Sequence, residues 1–233
     1  MADVFYLMDY IFTSEEAKTL NKNIFEAIYF AAITESMELC KSGEYKPYAH
    51  FEGSPMSKGE FQFDMWGLDY EGLGGLWDWD SLKLEVSNHG VCNSLFTAQM
   101  PVASSAKITG SYEMTEPAHS AIFNRRVVGG EIMIVNKYLI NDFEKIGIWS
   151  EDLKNEIILN EGSIQNINFN NYLDSEDKNY LKKVKRIEHL IPKYKTIWEI
   201  SQKQLIDMAA DRAPFIDQSQ SMNIYMGNPT LSK

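Results

Sequence analysis

The chain has 233 residues, of which 44% are hydrophobic and 24% are charged, and its formal net charge is −11. That length can bury a sizeable core, whereas the excess of acidic residues argues against a surface that binds nucleic acid or anionic lipid. No run of about 18 apolar residues occurs that would span a membrane. Two cysteines, Cys40 and Cys92, are too few for a disulfide framework, so we expect a reducing, cytoplasmic location.

The first third of the chain predicts a long helix followed by an ordered loop. Ser14 can cap a helix whose apolar residues follow helical spacing, and Gly43 can end it. Residues 43–75 are rich in glycine and proline but also in aromatic side chains, which disordered linkers lack. We therefore expect this segment to be ordered and packed on a core. A short helix is predicted over 77–86.

The rest of the chain predicts more helices and a few strands. Residues 94–98 are typical of a short buried strand, and residues 215–224 favour one or two further strands after Pro214. Further helices are predicted over residues 137–145, 150–160 and 194–212. Because helices separate the predicted strands, any sheet is expected to be parallel rather than built from hairpins.

Residues 101–108 begin with proline and continue with small or hydroxyl-bearing residues at a predicted helix start. The first turn of a helix has backbone N–H groups without intrahelical acceptors, and small side chains leave them accessible to an anion. Ser104 and Ser105 add two hydroxyl donors, so the pattern favours a phosphate or diphosphate site. Ordinary helix capping by Ser104 or Ser105 is the alternative, and no glycine-rich fingerprint decides between the two.

Other chemistry has little support from the spacing of the residues. The four histidines do not form a metal-binding pair at helical spacing, and the acidic residues at 113, 116 and 217 have no identifiable partners. Cys40 and Cys92 are expected to be unreactive thiols that fill a core. The charged stretch 174–188 is expected to be a solvated helix face or a surface insertion.

Several motifs occur in a fixed order along nearly the whole chain. They are EGSPMSKG at 52–59, MPVASSA at 100–106, TIWEISQ at 196–202, MAADR at 208–212 and IDQSQSMN at 216–223, with shorter matches at 93–95, 125–127, 135–136 and 162–165. Through them the chain resembles the C-terminal half of the large subunit of eukaryotic-type class I ribonucleoside-diphosphate reductases. The resemblance implies a single domain segment over 1–233, with a surface insertion at 168–188 where the match is weakest.

The resemblance implies an α/β fold that is part of the family's ten-stranded barrel, here a helix-rich segment with few strands. It also implies an oxidoreductase that converts ribonucleoside diphosphates to deoxyribonucleoside diphosphates for DNA synthesis by thiyl-radical chemistry. No cofactor is implied within this segment. In the family, a metal-containing small subunit generates the radical, and the ATP or dATP effectors bind outside this region.

The family's catalytic and redox cysteines do not match Cys40 or Cys92, so we expect no catalytic residue and no metal ligand in this segment. The chain is therefore expected to be a fragment that is inactive alone. Carried over by position, the residues that hold the substrate diphosphate are Val102, Ala103, Ser104 and Ser105. Val102 replaces the family's threonine, which removes one hydroxyl donor but keeps the backbone N–H groups.

The partners that the resemblance implies are the small subunit, thioredoxin or glutaredoxin acting through a tail outside this segment, and further copies of the large subunit. The helix predicted near 196–212 resembles one wall of the groove for the small subunit's C-terminal tail. Its candidate docking residues are Ile200, Lys203, Leu205, Asp207 and Met208. Core packing would explain the apolar ones equally well. A non-catalytic helical interaction module derived from the reductase is the alternative function.

Overall fold

The structure is a computed structural model that describes residues 1–68, 73–127 and 130–227. The chain divides into two compact units. The first unit comprises Met1–Ala17, Val102–Gln204 and Ile224–Lys233, and the second comprises Lys18–Pro101 and Leu205–Asn223. Within the described ranges, no helix combines the length and the apolar character needed to cross a membrane.

Helices dominate the described residues. The α-helices are α1 (Ala2–Leu7), α2 (Glu15–Lys41), α3 (Gln62–Met65), α4 (Trp79–His89), α5 (Ala103–Thr109), α6 (Lys137–Ile146), α7 (Glu151–Leu159), α8 (Tyr180–Lys193) and α9 (Gln202–Arg212). Short 3₁₀ helices lie at Met56–Lys58, Phe169–Tyr172, Ile197–Glu199 and Ala213–Phe215. The strands are β1 (Ile122–Val127) and β2 (Gly130–Val135).

The long helix predicted near the N-terminus is confirmed as α2. The hydroxyl of Ser14 accepts a hydrogen bond from the N–H of Ala17 at 3.2 Å, which satisfies one donor of the first turn. At the other end, Gly43 has φ +79° and donates its N–H to the carbonyl of Cys40 at 3.0 Å. Glycine adopts that left-handed conformation without a steric penalty, so the helix ends where the sequence indicates.

The aromatic segment after α2 is an ordered loop, as predicted, over its described part; residues 69–72 lie outside the described residues. Phe51, Phe61 and Phe63 are buried in the core of the second unit. Trp79, at the start of α4, packs edge-on against Phe63 with ring centroids 4.7 Å apart. The indole N–H of Trp79 donates to the buried carboxylate of Glu26 at 3.1 Å, so this core carries a satisfied polar contact.

The prediction that any sheet would be parallel is wrong for the described strands. The strands β1 and β2 instead form an antiparallel hairpin in which Ile122 pairs with Val135 and Arg126 pairs with Glu131. The sequence has glycine at 129 and 130, residues that favour a change of chain direction, and Gly130 is the first residue of β2. Residues 128 and 129 themselves lie outside the described residues.

Residues 94–98 and 215–224 do not form the predicted strands. The carboxylate of Asp217 accepts the N–H groups of Phe96 and Thr97 at 2.8 and 2.9 Å, which replaces the carbonyls of a neighbouring strand. Main-chain hydrogen bonds join residues 97–99 to residues 218–221, and they include one isolated bridge, between Gln99 and Gln220. That bridge is parallel, the orientation expected, but it is too short to define a strand.

The helix predicted over 194–212 is also wrong at its start. Thr196 and Glu199 form a capping box around the 3₁₀ turn Ile197–Glu199, with the Glu199 carboxylate accepting the N–H of Thr196 at 2.7 Å. These hydrogen bonds stabilise a separate 3₁₀ turn at Ile197–Glu199, and α9 begins after it, at Gln202. The helix ends at Arg212, where Pro214 was expected to stop it.

The segment 168–188 contributes to the core of the first unit as well as to its surface. Phe169 and Ile187 are buried among residues of α6 and α7, such as Phe143 and Ile157. Two basic residues of α8, Lys182 and Lys185, lie on the other side of the same helix and are exposed. The helix is therefore amphipathic, with one apolar face packed and one charged face in solvent.

A buried ion cluster joins the end of α1 to α6 and α8. The ammonium group of Lys193, only 2% exposed, lies 2.7 Å from the carboxylate of Asp9 and 2.8 Å from that of Asp142. Arg186 donates to Asp9, and the Tyr194 hydroxyl donates to Asp142 at 2.8 Å. Asp9 has φ +60°, a conformation that is unfavourable for a residue with a Cβ, and the cluster holds it there.

Both carboxylates of the ion cluster stay ionised. Burial alone would raise the pKa of Asp142, but hydrogen bonds from Lys193 and Tyr194 and the nearby charges of Lys193 and Arg186 hold that pKa below its ordinary value of 3.8. For Asp9, burial is likewise outweighed by Arg186 and Lys193, so the pKa of Asp9 is also lowered. The cluster therefore stabilises the first unit most strongly when both aspartates are charged.

Candidate functional site: the first turn of α5

The segment predicted to hold phosphate is the exposed first turn of α5. Val102 is the residue that precedes the helix, and Ala103, Ser104 and Ser105 form its first turn. The N–H groups of these three residues have no acceptor within the helix, because an α-helix leaves its first donors unpaired. All four residues are exposed, with Val102 at 43%.

Capping by serine, the alternative explanation of this pattern, does not occur. The residue at the cap position is Val102, and its side chain makes no capping hydrogen bond. Ser104 and Ser105 lie one and two residues inside the helix, and over the described residues neither hydroxyl has a hydrogen-bond partner. Their side chains therefore remain available as donors to a ligand.

Main-chain hydrogen bonds fix the position of this turn in the first unit. The N–H of Val102 donates to the carbonyl of Glu113 at 2.9 Å, and the N–H of Ala106 donates to the carbonyl of Val102 at 2.8 Å. Ala106 is buried and anchors the inner side of the short helix. Gly110 ends α5 in the left-handed conformation with φ +65°. The donors of the first turn are thus presented on a fixed backbone.

The charges near α5 favour an anion only modestly. Lys137 donates to the carbonyl of Gly110 at 2.8 Å, at the far end of the helix. Arg125 on β1 lies 3.7 Å from the carboxylate of Glu113, so its charge is partly neutralised. The first turn itself carries no charged side chain. Anion binding here would depend mainly on N–H groups and hydroxyls.

A cavity of about 520 Å³ lies in the first unit but does not include the predicted turn. It is lined by the opposite part of α5, by the loop that follows it and by the hairpin, including Lys107, Tyr112, Phe123 and Ile134. The side chains around it are mostly apolar and aromatic. Residues 102–105 lie outside this lining, so the cavity and the predicted phosphate site are separate features.

The candidate docking residues on α9 and before it divide into two groups. Ile200, Leu205 and Met208 are buried, as the core-packing alternative expects. Lys203 is exposed and Asp207 is half-buried. The prediction missed Ile206, which is 46% exposed on the same helix. A single-residue shift in helical phase decides which apolar side chain faces solvent.

Other side chains that could take part in chemistry are in contact with one another. Tyr225 donates its hydroxyl to the buried carboxylate of Glu116 at 3.0 Å and lies 3.0 Å from His119 Nε2. The sequence did not predict this cluster, because its members are distant along the chain. Among the described residues, no group of three or more His, Cys, Asp and Glu side chains is arranged to hold a metal ion.

Comparison with known proteins identifies the class to which this fold belongs. The family model for the ribonucleotide reductase barrel domain matches residues 1–233. A solved alpha subunit of a class Id ribonucleotide reductase from Actinobacillus ureae has a similar fold, with a TM-score of 0.61 at 22% identity over 96% of this chain and 31% of its own. The chain therefore belongs to the ribonucleotide reductase barrel-domain family, and it is a helix-rich segment of that barrel.

The relatives with higher sequence identity to this chain are large subunits of ribonucleoside-diphosphate reductases. The chain is 46% identical to a ribonucleoside-diphosphate reductase large subunit from Caenorhabditis elegans, over 100% of this chain and 27% of that protein. It is 47% identical to the large chain from Cryptosporidium parvum, over 100% of this chain and 26% of that protein. The large subunit from Acanthamoeba polyphaga mimivirus is 43% identical over the whole chain. The chain spans about a quarter of the length of these relatives.

Proposed function

We propose that this chain is the part of a ribonucleoside-diphosphate reductase large subunit that holds the diphosphate of the substrate. The observation that supports this most is the first turn of α5, which presents three N–H groups and two hydroxyls to solvent on a fixed backbone. The family membership supplies the substrate class, a ribonucleoside diphosphate.

The first turn of α5 suits a diphosphate for electrostatic reasons. The N–H groups of Ala103, Ser104 and Ser105 sit at the positive end of the peptide dipoles, and each can donate to a phosphate oxygen. The hydroxyls of Ser104 and Ser105 can add two further donors. Val102 cannot donate through its side chain. Recognition would therefore rest on the backbone and the two serines.

The remaining parts of the reaction would come from outside this chain. Radical reduction in this family needs a cysteine that becomes a thiyl radical and two more that supply electrons, whereas this chain contains only Cys40 and Cys92. Both lie in the second unit and neither is in the unit that carries the phosphate turn. The radical-generating small subunit, the nucleotide effectors and a thioredoxin or glutaredoxin would act with the whole large subunit.

A contact with the small subunit's tail is proposed for the exposed face of α9. Ile206 is exposed and Asp207 is half-buried beside it on α9, so this part of the helix offers an apolar side chain next to a charge. Amphipathic segments bind in this way, with apolar anchors flanked by charge. Leu205 and Met208, buried on the same helix, would support this face from within the core of the second unit.

We expect the isolated chain to have no reductase activity with any ribonucleoside diphosphate, even with a small subunit and a reductant present. The matched comparison is a chimeric subunit, the Caenorhabditis elegans large subunit in which this chain replaces the segment it matches. Deoxyribonucleotide formation is measured for both. With the small subunit and the reductant present, the proposal predicts product from the chimeric subunit and none from the isolated chain. Product from the isolated chain, or none from a folded chimeric subunit that still binds its small subunit, would contradict it.

A further inference from the structure

The two cysteines of the chain are brought together in the second unit. Cys40 lies in the last turn of α2, and Cys92 lies three residues after the end of α4. The N–H of Cys92 donates to the carbonyl of Ser36 at 3.5 Å, and Ser36 precedes Cys40 by about one helical turn, so the two cysteines are neighbours at the end of α2. Neither is linked to another group in this structure, and both are partly exposed to solvent. This proximity was not predicted from the sequence, because the two cysteines are 52 residues apart.

Hydrogen bonds around Ser36 hold Cys92 against the end of α2. The Ser36 hydroxyl lies 3.3 Å from the sulfur of Cys92 and donates to Oδ1 of Asn93 at 3.0 Å. The N–H of Asn93 donates back to the Ser36 hydroxyl at 3.1 Å. Since Ser36 and Cys40 are one helical turn apart, they share a face of α2. Cys92 is thus fixed beside the face that carries Cys40.

We propose that Cys40 and Cys92 form a reversible intramolecular disulfide, which makes this pair an oxidation site distinct from the phosphate turn. The oxidant we assign is a hydroperoxide, and the reductant that reverses the reaction is a small-molecule or protein dithiol. The pair is suited to this because both thiols are partly exposed and lie in the same chain, and because hydrogen bonds hold Cys92 in place. The site does not depend on the proposed reductase function.

The chemistry proceeds in two balanced steps. The thiolate of Cys92 attacks the peroxide, an S–O bond forms as the O–O bond breaks, and with hydrogen peroxide one water leaves. The Cys40 sulfur then attacks the resulting sulfenic acid, an S–S bond forms as the S–O bond breaks, and a second water leaves. Two thiols are oxidised by two electrons, and one peroxide is reduced to two waters.

The order of the two thiols follows from their surroundings. Burial, followed by the neighbouring Cys92 thiol, raises the pKa of Cys40, so Cys40 is less often ionised than an ordinary cysteine. The thiolate is the form that attacks peroxide. We therefore assign the first attack to Cys92 and the closing attack to Cys40. The disulfide would link the end of α2 covalently to the segment after α4.

The test is oxidation of the folded chain with stoichiometric hydrogen peroxide, followed by intact-mass and peptide analysis. We expect the mass to fall by two hydrogens, both titratable thiols to be lost, and one peptide pair to contain Cys40 joined to Cys92. Dithiothreitol should restore both thiols. The chain should remain at its monomer mass of 26.7 kDa under non-reducing conditions.

Two variants and one condition serve as controls. Cys40→Ser and Cys92→Ser each keep one thiol and should show no loss of two hydrogens, and Cys40→Ser should accumulate the sulfenic acid on Cys92. The chain unfolded in urea should form the bond more slowly at the same peroxide concentration. The proposal is overturned if the folded chain gains oxygen atoms at separate cysteines without the linked peptide, or if it links only between chains.

Discussion

Replacing Lys193 with methionine is expected to lower the free energy of unfolding of the chain by about 3 kcal/mol. Lys193 is buried between Asp9 and Asp142, and its removal leaves Arg186 as a cation that still contacts both carboxylates. Asp142, whose side chain is 9% exposed, loses its ion pair at 2.8 Å, and little solvent is available to replace that partner. Urea unfolding followed by circular dichroism measures the effect.

The control for Lys193→Met is Lys41→Met, which removes an exposed ion pair with Glu85 and should leave the free energy of unfolding almost unchanged, because solvent screens that pair. The difference between Lys193→Met and the parent should also shrink as the pH falls below 4. Asp9 and Asp142 have lowered pKa values in the folded chain, so their contribution is present above the ordinary value of 3.8 and is lost as they protonate. If Lys193→Met and Lys41→Met lower the free energy of unfolding equally, the ion cluster contributes no more than an exposed ion pair.

Replacing Ser104 with aspartate in the chimeric subunit should abolish measurable binding of ribonucleoside diphosphates. A fixed negative charge would then occupy the first turn of α5, where the substrate's own charge is proposed to lie. Ser104→Ala removes only one hydrogen bond to a charged group, worth about 1.5–3 kcal/mol. We therefore expect roughly tenfold to hundredfold weaker binding for Ser104→Ala. Isothermal titration with the diphosphate measures both effects.

Ser175→Asp is the charge-matched control for Ser104→Asp. Ser175 is exposed in the segment before α8, away from the first turn of α5 in the sequence, and its replacement should leave diphosphate binding within twofold of the parent. Binding of the unphosphorylated nucleoside serves as a second comparison, since it should be insensitive to the charge at Ser104. If both Ser104 variants bind the diphosphate as tightly as the parent, the first turn of α5 is not the site.

The features that the sequence predicted well are those that depend on local chemistry. The helix α2 begins at a serine cap and ends at a glycine, and both signals lie within a few residues of the ends they determine. The exposed first turn of α5 follows in the same way from Pro101 and the small residues after it. Buried aromatic residues in the loop after α2 were also evident, because such side chains rarely occur in disordered linkers.

The features that the sequence did not predict depend on partners distant along the chain. The Asp217 carboxylate replaces strand pairing at Phe96, and no local pattern near residue 96 reports that contact. The ion cluster around Lys193 likewise joins three separate helical regions. The buried state of Leu205 and Met208 was left open, because apolar spacing on a helix does not state which partner covers it.

The measurement that tests the proposed diphosphate site most directly is a structure of the chimeric subunit with a ribonucleoside diphosphate bound. We expect phosphate oxygens within about 3.2 Å of the backbone nitrogens of Ala103, Ser104 and Ser105, and of at least one serine hydroxyl. A nucleotide whose diphosphate binds elsewhere in the barrel, with the first turn of α5 exposed to solvent, would contradict the proposal.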